Sequence, residues 1–167
     1  MDLYFLRHGS AAEKGRDYPE DSLRPLIPAG VKETRAVAKG MRRLGVRPDL
    51  ILSSPFVRAR ETAKIVAKIL GVSGKLEYSN HLAPGSLFSE LVQDLKGREG
   101  LKNILLVGHE PFLGRLIGYW TTGRDEAFVA LKKSGLCKLE TEGVRNGRCA
   151  MLKWLMTSRQ LQWIAKR

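Results

Sequence analysis

Three short apolar runs, Leu3-Tyr4-Phe5-Leu6, Leu50-Ile51-Leu52-Ser53 and Asn103-Ile104-Leu105-Leu106-Val107, each stop at a polar turn, and each is followed by residues with helical periodicity. Runs of this length, flanked by turn residues, read as strands buried on both faces. The helical stretches carry Val31, Thr34, Val37, Ala38, Met41 and Leu44 before Gly45, and then Phe56, Ala59, Ala63, Val66, Ala67 and Leu70 before Gly71. A third carries Phe112, Leu116, Ile117 and Tyr119, and each glycine supplies a helix stop. Alternation of this kind demands right-handed crossovers and a mostly parallel central sheet covered on both faces, an α/β/α three-layer sandwich. In such sheets the ligand crevice opens at the carboxyl ends of the strands.

The remaining segments are less regular. Residues 10–28 are polar and hold three prolines, which reads as a long loop. Lys75-Leu76-Glu77-Tyr78 is a short strand candidate, and Leu87, Leu91 and Leu95 predict a helix ending before Gly97. Past Gly123 the residues 128–131, 135–140 and 149–155 read as strands, with Asn146-Gly147 as a turn, and Trp163 and Ile164 suggest a short closing helix.

A chain of 167 residues with 43% hydrophobic content can bury a sufficient core in one domain, residues 1–167, without disulfides or a structural metal. Cys137 and Cys149 fit no zinc-ligand spacing, so no metal site and no cofactor are expected. No window of about 18 apolar residues occurs, and the amino-terminal run reaches Arg7 too soon for a secretory signal, so a cytoplasmic protein with no membrane partner is the expectation. Lys and Arg number 29 against 17 Asp and Glu, a net charge of +12. Residues 124–167 carry 10 basic and 4 acidic side chains, half of that surplus. The basic residues alternate with acids along the helices, as on a solvated face, and no nucleic-acid-binding motif accompanies them, so a nucleic-acid partner is not indicated.

Of the three histidines, His8 and His109 directly follow the two clearest strands, whereas His81 lies in the turn-rich region. Two strands of one parallel sheet would deliver both rings to the same crevice. Arg7 adjoins His8, and Arg58 stands in the first turn of a helix, where a cation opposes the helix dipole unless an anion is bound. Two arginines and two histidines at strand ends suit a dianionic phosphoryl group held by bidentate contacts. A neutral imidazole held at Nδ1 would also offer Nε2 as a nucleophile, and such chemistry calls for no metal.

Leu6-Arg7-His8-Gly9, Ser54-Pro55-Phe56-Val57-Arg58-Ala59-Arg60-Glu61-Thr62 and Val107-Gly108-His109-Glu110-Pro111 resemble the histidine phosphatase, or phosphoglycerate-mutase-like, superfamily. The short length and Asp21-Ser22-Leu23-Arg24-Pro25-Leu26 are similar to its SixA-type phosphohistidine phosphatase branch. The resemblance implies a phosphoglycerate-mutase-like fold, His8 as the nucleophile, and Arg7, Arg58 and His109 as clamps on the phosphoryl oxygens. It also brings Arg24 to the mouth of the site or to a structural role on its loop, with Ser54, Gly9 and Gly108 close to the substrate. Its substrate would be a phosphohistidine on a protein or a small phosphorylated molecule.

Two departures from the family pattern stand out. His81 falls where larger relatives often carry a glutamate acid, so His81 either donates a proton or caps its loop. Ile27 replaces a usual threonine and removes a helix N-cap. Glu110 either orients His109 or faces solvent. The alternatives to phosphohistidine hydrolysis are a small-molecule phosphomonoesterase of the same superfamily and a phosphoprotein-binding module without turnover.

Overall fold

The structure, a computed structural model, describes residues 1–98 and 100–167. Strands β1 (Asp2–Arg7), β2 (Leu50–Ser53), β3 (Leu76–Tyr78), β4 (Asn103–Gly108), β5 (Leu136–Thr141) and β6 (Ala150–Met156) form one sheet in the order β3-β2-β4-β1-β5-β6. Pairings among β1 to β4 are parallel, and β5 and β6 add antiparallel strands at one edge. The helices are α1 (Pro28–Arg43), α2 (Val57–Leu70), α3 (Phe88–Lys96), α4 (Phe112–Thr122) and α5 (Ser158–Lys166).

Side-chain alternation along β1 divides the core between the two faces. Leu3 and Phe5 join Leu52, Ile104 and Leu106 against α3 and α4, with Trp120 fully buried among them. Tyr4 and Leu6 join Ile51, Leu105 and Val107 against α1, α2 and α5, where Ala38, Ala59, Ala63 and Ala67 keep the helices close to the sheet. Close helix–sheet packing on that face holds the amino terminus of α2 near the carboxyl ends of β1 and β4.

Helix α1 starts with Pro28 after Ile27, whose side chain makes no cap, so the fixed φ of proline at the first position replaces the missing N-cap. The helix stop expected at Gly71 is a left-handed cap with φ 73°. Within the loop, Asp21–Leu23 form one 3-10 turn and Ala11 bridges Leu26.

Residues 128–131, expected as a strand, do not join the sheet. This segment lies instead along α4, where Gly114 and Gly118 clear a path for it. A Cβ on Gly114 would stand 2.3 Å from the Val129 carbonyl, and one on Gly118 2.0 Å from the Glu126 carbonyl. The Leu131 N–H spends its hydrogen bond on the Glu110 carboxylate at 2.9 Å, not on a neighbouring strand.

Candidate active site

At the carboxyl ends of β1, β2 and β4 a cavity of about 290 Å³ is lined by Arg7, His8, Ala11, Asp21, Arg24, Arg58, Pro84, His109, Glu110 and Lys133. The parallel register sets Arg7 beside Gly108, so His8 and His109 leave neighbouring strands at the same level. Their ring centroids lie 5.1 Å apart. A larger open depression of about 710 Å³ lies at the amino-terminal end of β1, but its Glu140, Glu142, Arg145 and Arg148 carry mixed charge, and no histidine lines it.

The hydrogen bonds of His8 define its tautomer. Nδ1 lies 2.7 Å from the Gly9 carbonyl, which can only accept, so Nδ1 carries the proton. Nε2 receives the Arg58 Nε–H at 3.2 Å and is therefore the lone-pair nitrogen. Burial, the first cause, together with the charges of Arg58, Arg7 and Arg24, lowers the His8 pKa to about 4 despite the opposing Gly9 hydrogen bond. At neutral pH the ring is thus uncharged, with its lone pair directed into a cationic cavity.

His109 is held differently. Its Nε2 lies 2.8 Å from Ser54 Oγ, which also accepts the Phe56 N–H at 3.3 Å, and its Nδ1 is buried without a partner. Burial, then the nearby His8 and Arg58, lower its pKa to about 3. The hydroxyl proton of Ser54 can be donated to Nε2, which leaves Nδ1–H as a donor awaiting an acceptor.

Arg58 is 3% exposed and fully committed to the site. Its Nη1 donates to the Asp21 carbonyl at 2.6 Å and its Nη2 to Asp21 Oδ2 at 2.7 Å, which turns Nε towards His8. Arg24 binds the other oxygen of the same carboxylate, Nε to Oδ1 at 2.9 Å, and reaches the Ala12 carbonyl through Nη1 at 2.7 Å. Hydrogen bonds and charge from the two guanidiniums outweigh the opposing effect of burial and hold the Asp21 pKa below its usual value. Arg7 donates through Nη1 to the Leu131 carbonyl at 2.9 Å, while its Nε is buried without a partner.

Beneath the cavity, Thr62 Oγ1 accepts the Gly9 N–H at 3.1 Å and donates to the Arg58 carbonyl at 2.7 Å, joining the loop after β1 to α2. Gly9 and Gly108 pack below the cavity and do not line it. A Cβ on Gly9 would fall 2.6 Å from Thr34 Oγ1, and one on Gly108 3.3 Å from Leu113. Ser54 also stays off the lining and reaches it through His109.

His81 lies outside the lining as well; its N–H donates to the cap Ser79 Oγ at 3.3 Å and its Nδ1 is 3.5 Å from Glu90 Oε2. Of the two roles open to His81, its position on the 3-10 turn Asn80–Leu82, off the lining, fits the loop one, and Pro84 of the same loop lines the cavity. Glu110 neither touches His109 through a hydrogen bond nor faces solvent freely: its oxygens accept the N–H groups of Leu131 at 2.9 Å and Gly114 at 3.3 Å. Sequence reasoning missed Asp21, Thr62 and Lys133 as site residues. The spacing of Asp21 and Arg24 in one turn was a signal for an ion pair, but nothing local marked Lys133.

Comparison with known proteins identifies the family. A family model of the histidine phosphatase superfamily (branch 1) matches residues 3–83. Phosphohistidine phosphatase SixA of Escherichia coli (strain K12) is 33% identical over 146 residues, 86% of this chain and 88% of that protein. An uncharacterized protein of Picosynechococcus is 36% identical over 148 residues, 87% of this chain and 88% of its own. A protein histidine phosphatase SixA solved with tungstate superposes with a TM-score of 0.84 at 26% identity, over 96% of this chain and 99% of that one. The phosphoglycerate-mutase-like fold is common to this chain and its structural neighbours. With a third of its residues shared across most of both chains, this protein belongs to the histidine phosphatase superfamily, in the SixA-type branch, and is one of its phosphatases.

Proposed function

We propose that the chain hydrolyses phosphohistidine carried on a protein, with His8 Nε2 as the nucleophile. The observation that carries this reading is the His8 ring itself, with Nδ1 on the Gly9 carbonyl and Nε2 exposed to Arg58 in a cationic cavity. When a phosphoryl group enters, Nε2 forms the bond to phosphorus and the Arg58 Nε–H transfers its hydrogen bond to a phosphoryl oxygen. The unpartnered Arg7 Nε–H and His109 Nδ1–H supply further donors for charge on the equatorial oxygens. The leaving imidazole, already protonated on its other ring nitrogen, departs as a neutral ring with the P–N bonding pair. Water then attacks phosphorus of the phosphoenzyme, both its protons leave with the phosphate or pass to solvent, and the P–N bond electrons return to neutral His8.

Acid chemistry in the cavity favours a phosphoramidate over an ester. Asp21 is bound by two arginines, which keep it ionised, and both Glu110 oxygens point at backbone N–H groups. Burial raises the Glu110 pKa, but its lone pairs face Leu131 and Gly114. Both carboxyls line the cavity with their oxygens already engaged by protein donors. A phosphohistidine carries a basic ring nitrogen that takes its proton from solvent, so imidazole leaves neutral without an acid from the protein, whereas a phosphoester would have to expel a strongly basic alkoxide.

A cavity of about 290 Å³ has room for a phosphoryl group together with the side chain that carries it. The SixA relatives support the same substrate class. The test is phosphate release from a phosphohistidine-bearing protein and from an aryl phosphate, with a chelator present throughout. Faster release from phosphohistidine, unchanged by chelator, is the expected result. Preference for the ester would move the substrate to small phosphomonoesters, and stoichiometric binding without release would identify a phosphoprotein-binding module.

A further inference from the structure

Lys133 is the one lining cation of the cavity without a hydrogen-bond or ion-pair partner among the described residues; Arg7, Arg24 and Arg58 each donate to a protein acceptor. The segment that carries it is fastened to both strand ends. The Leu131 carbonyl accepts from Arg7 Nη1 at 2.9 Å, and the Leu131 N–H donates to Glu110 Oε1 at 2.9 Å. On the other side of Lys133, the Ser134 N–H is shared between the carbonyls of Arg7 and His8 at 3.2 Å each, and the Gly135 carbonyl accepts the Arg7 N–H at 3.2 Å.

Ser134 has φ 55°, the one positive value at a non-glycine among the described residues. That conformation is unfavourable for a side chain with a Cβ and persists where its surroundings impose it. Here the shared hydrogen bond to the backbone of the nucleophile imposes it. The pinned loop thus sets an exposed ammonium, without a protein partner among the described residues, at the rim of an anion-binding cavity.

We infer that Lys133 is a substrate-binding residue that contacts the phosphoryl oxygens and adds a fourth cation to those of Arg7, Arg24 and Arg58. The inference rests on the phosphatase reading for the nature of the anion but not on turnover. Its ammonium is a point charge with three donors, able to follow a phosphoryl group as it moves from substrate to His8.

Calorimetric titration of the intact protein with tungstate tests this, because binding requires no catalysis. Lys133→Ala is expected to weaken tungstate affinity about tenfold, and Lys133→Arg less than about threefold. Lys132→Ala removes the same charge from the adjacent position, equally exposed but off the cavity, and is expected to change affinity less than about twofold. With an aryl phosphate, Lys133→Ala is expected to raise KM about tenfold and leave kcat within about twofold. Wild-type affinity in Lys133→Ala, or an equal loss in Lys132→Ala, would overturn the assignment. Tungstate binding with no phosphate release would leave Lys133 supported and the hydrolase reading refuted, whereas no binding by the wild type would overturn both.

Discussion

The carboxyl ends of β1 and β4 are built alike and equipped differently. Each strand delivers a buried histidine to the cavity, and in both rings burial lowers the pKa, to about 4 for His8 and about 3 for His109. At the end of β1 both nitrogens are paired, and the pairing fixes one tautomer with its lone pair among the arginines. At the end of β4 one nitrogen is paired and the other is a buried orphan. On the proposed mechanism the difference divides the work: the fully oriented neutral ring of His8 attacks, and the ring of His109, with one buried nitrogen unpaired, donates to an acceptor that the substrate brings.

The largest effect expected from breaking this asymmetry is that of His8→Ala, which removes the proposed nucleophile and should lower kcat by at least about 10⁴-fold. His109→Ala removes one donor to the transition state and should cost about 10² to 10³ in kcat. A single-turnover assay should still show the phosphoenzyme in the second variant. Equal losses in both would mean that the two rings act as one unit. Ser54→Ala takes away the hydroxyl that orients His109 and is expected to lower kcat about tenfold, with KM little changed, in steady-state assays. A fall as large as that of His109→Ala would place Ser54 in the chemistry itself.

Acid sharpens the comparison through stability. Both folded values lie below the unfolded value near 6.5, so on acidification protons bind the unfolded chain first. The stability contributed by the neutral rings is complete above about pH 6.5, shrinks as the pH falls below it, and is lost as the pH passes about 4 and 3. Denaturant unfolding should show a loss on the order of 1.4 kcal/mol per pH unit per ring in that window. His8→Asn should roughly halve the slope. An unchanged slope would show that burial of His8 does not govern it.

Among the chemical effects, the smallest is expected at Asp21. Asp21→Asn keeps hydrogen-bond acceptors for Arg58 and Arg24 but removes the charge between them. We expect kcat/KM to change by less than about fivefold, because the phosphoryl group supplies the lost negative charge. A loss of about 10³-fold would promote Asp21 from an orienting group for Arg58 to a participant in proton transfer.

The strands and the two histidines were legible because burial on both faces leaves continuous apolar runs, and the residues just past each run are forced to the sheet's carboxyl edge. Leu3–Leu6 and Asn103–Val107 therefore located His8 and His109 from the sequence alone. The segment 128–131 misled because Phe128, Val129 and Leu131 have strand-like composition, whereas its destination was set by Gly114 and Gly118 on a helix elsewhere in the chain. Asp21 and Lys133 were hidden for a related reason. Their places at the cavity arise from long-range pairings, Asp21 with Arg58 and the Lys133 loop with Arg7 and His8, which leave no periodic trace. His81 illustrates the converse: its place in a family pattern left proton donation and loop capping both open, and its position on a 3-10 turn off the cavity fits the second.

Trapping the phosphoenzyme by rapid quench and locating the phosphate by peptide mapping tests the division between the two rings most directly. The account predicts alkali-stable, acid-labile phosphate on the peptide that contains Arg7-His8-Gly9, absent in His8→Ala and retained in His109→Ala. Phosphate on the His109 peptide, or turnover with no phosphorylated histidine, would contradict it.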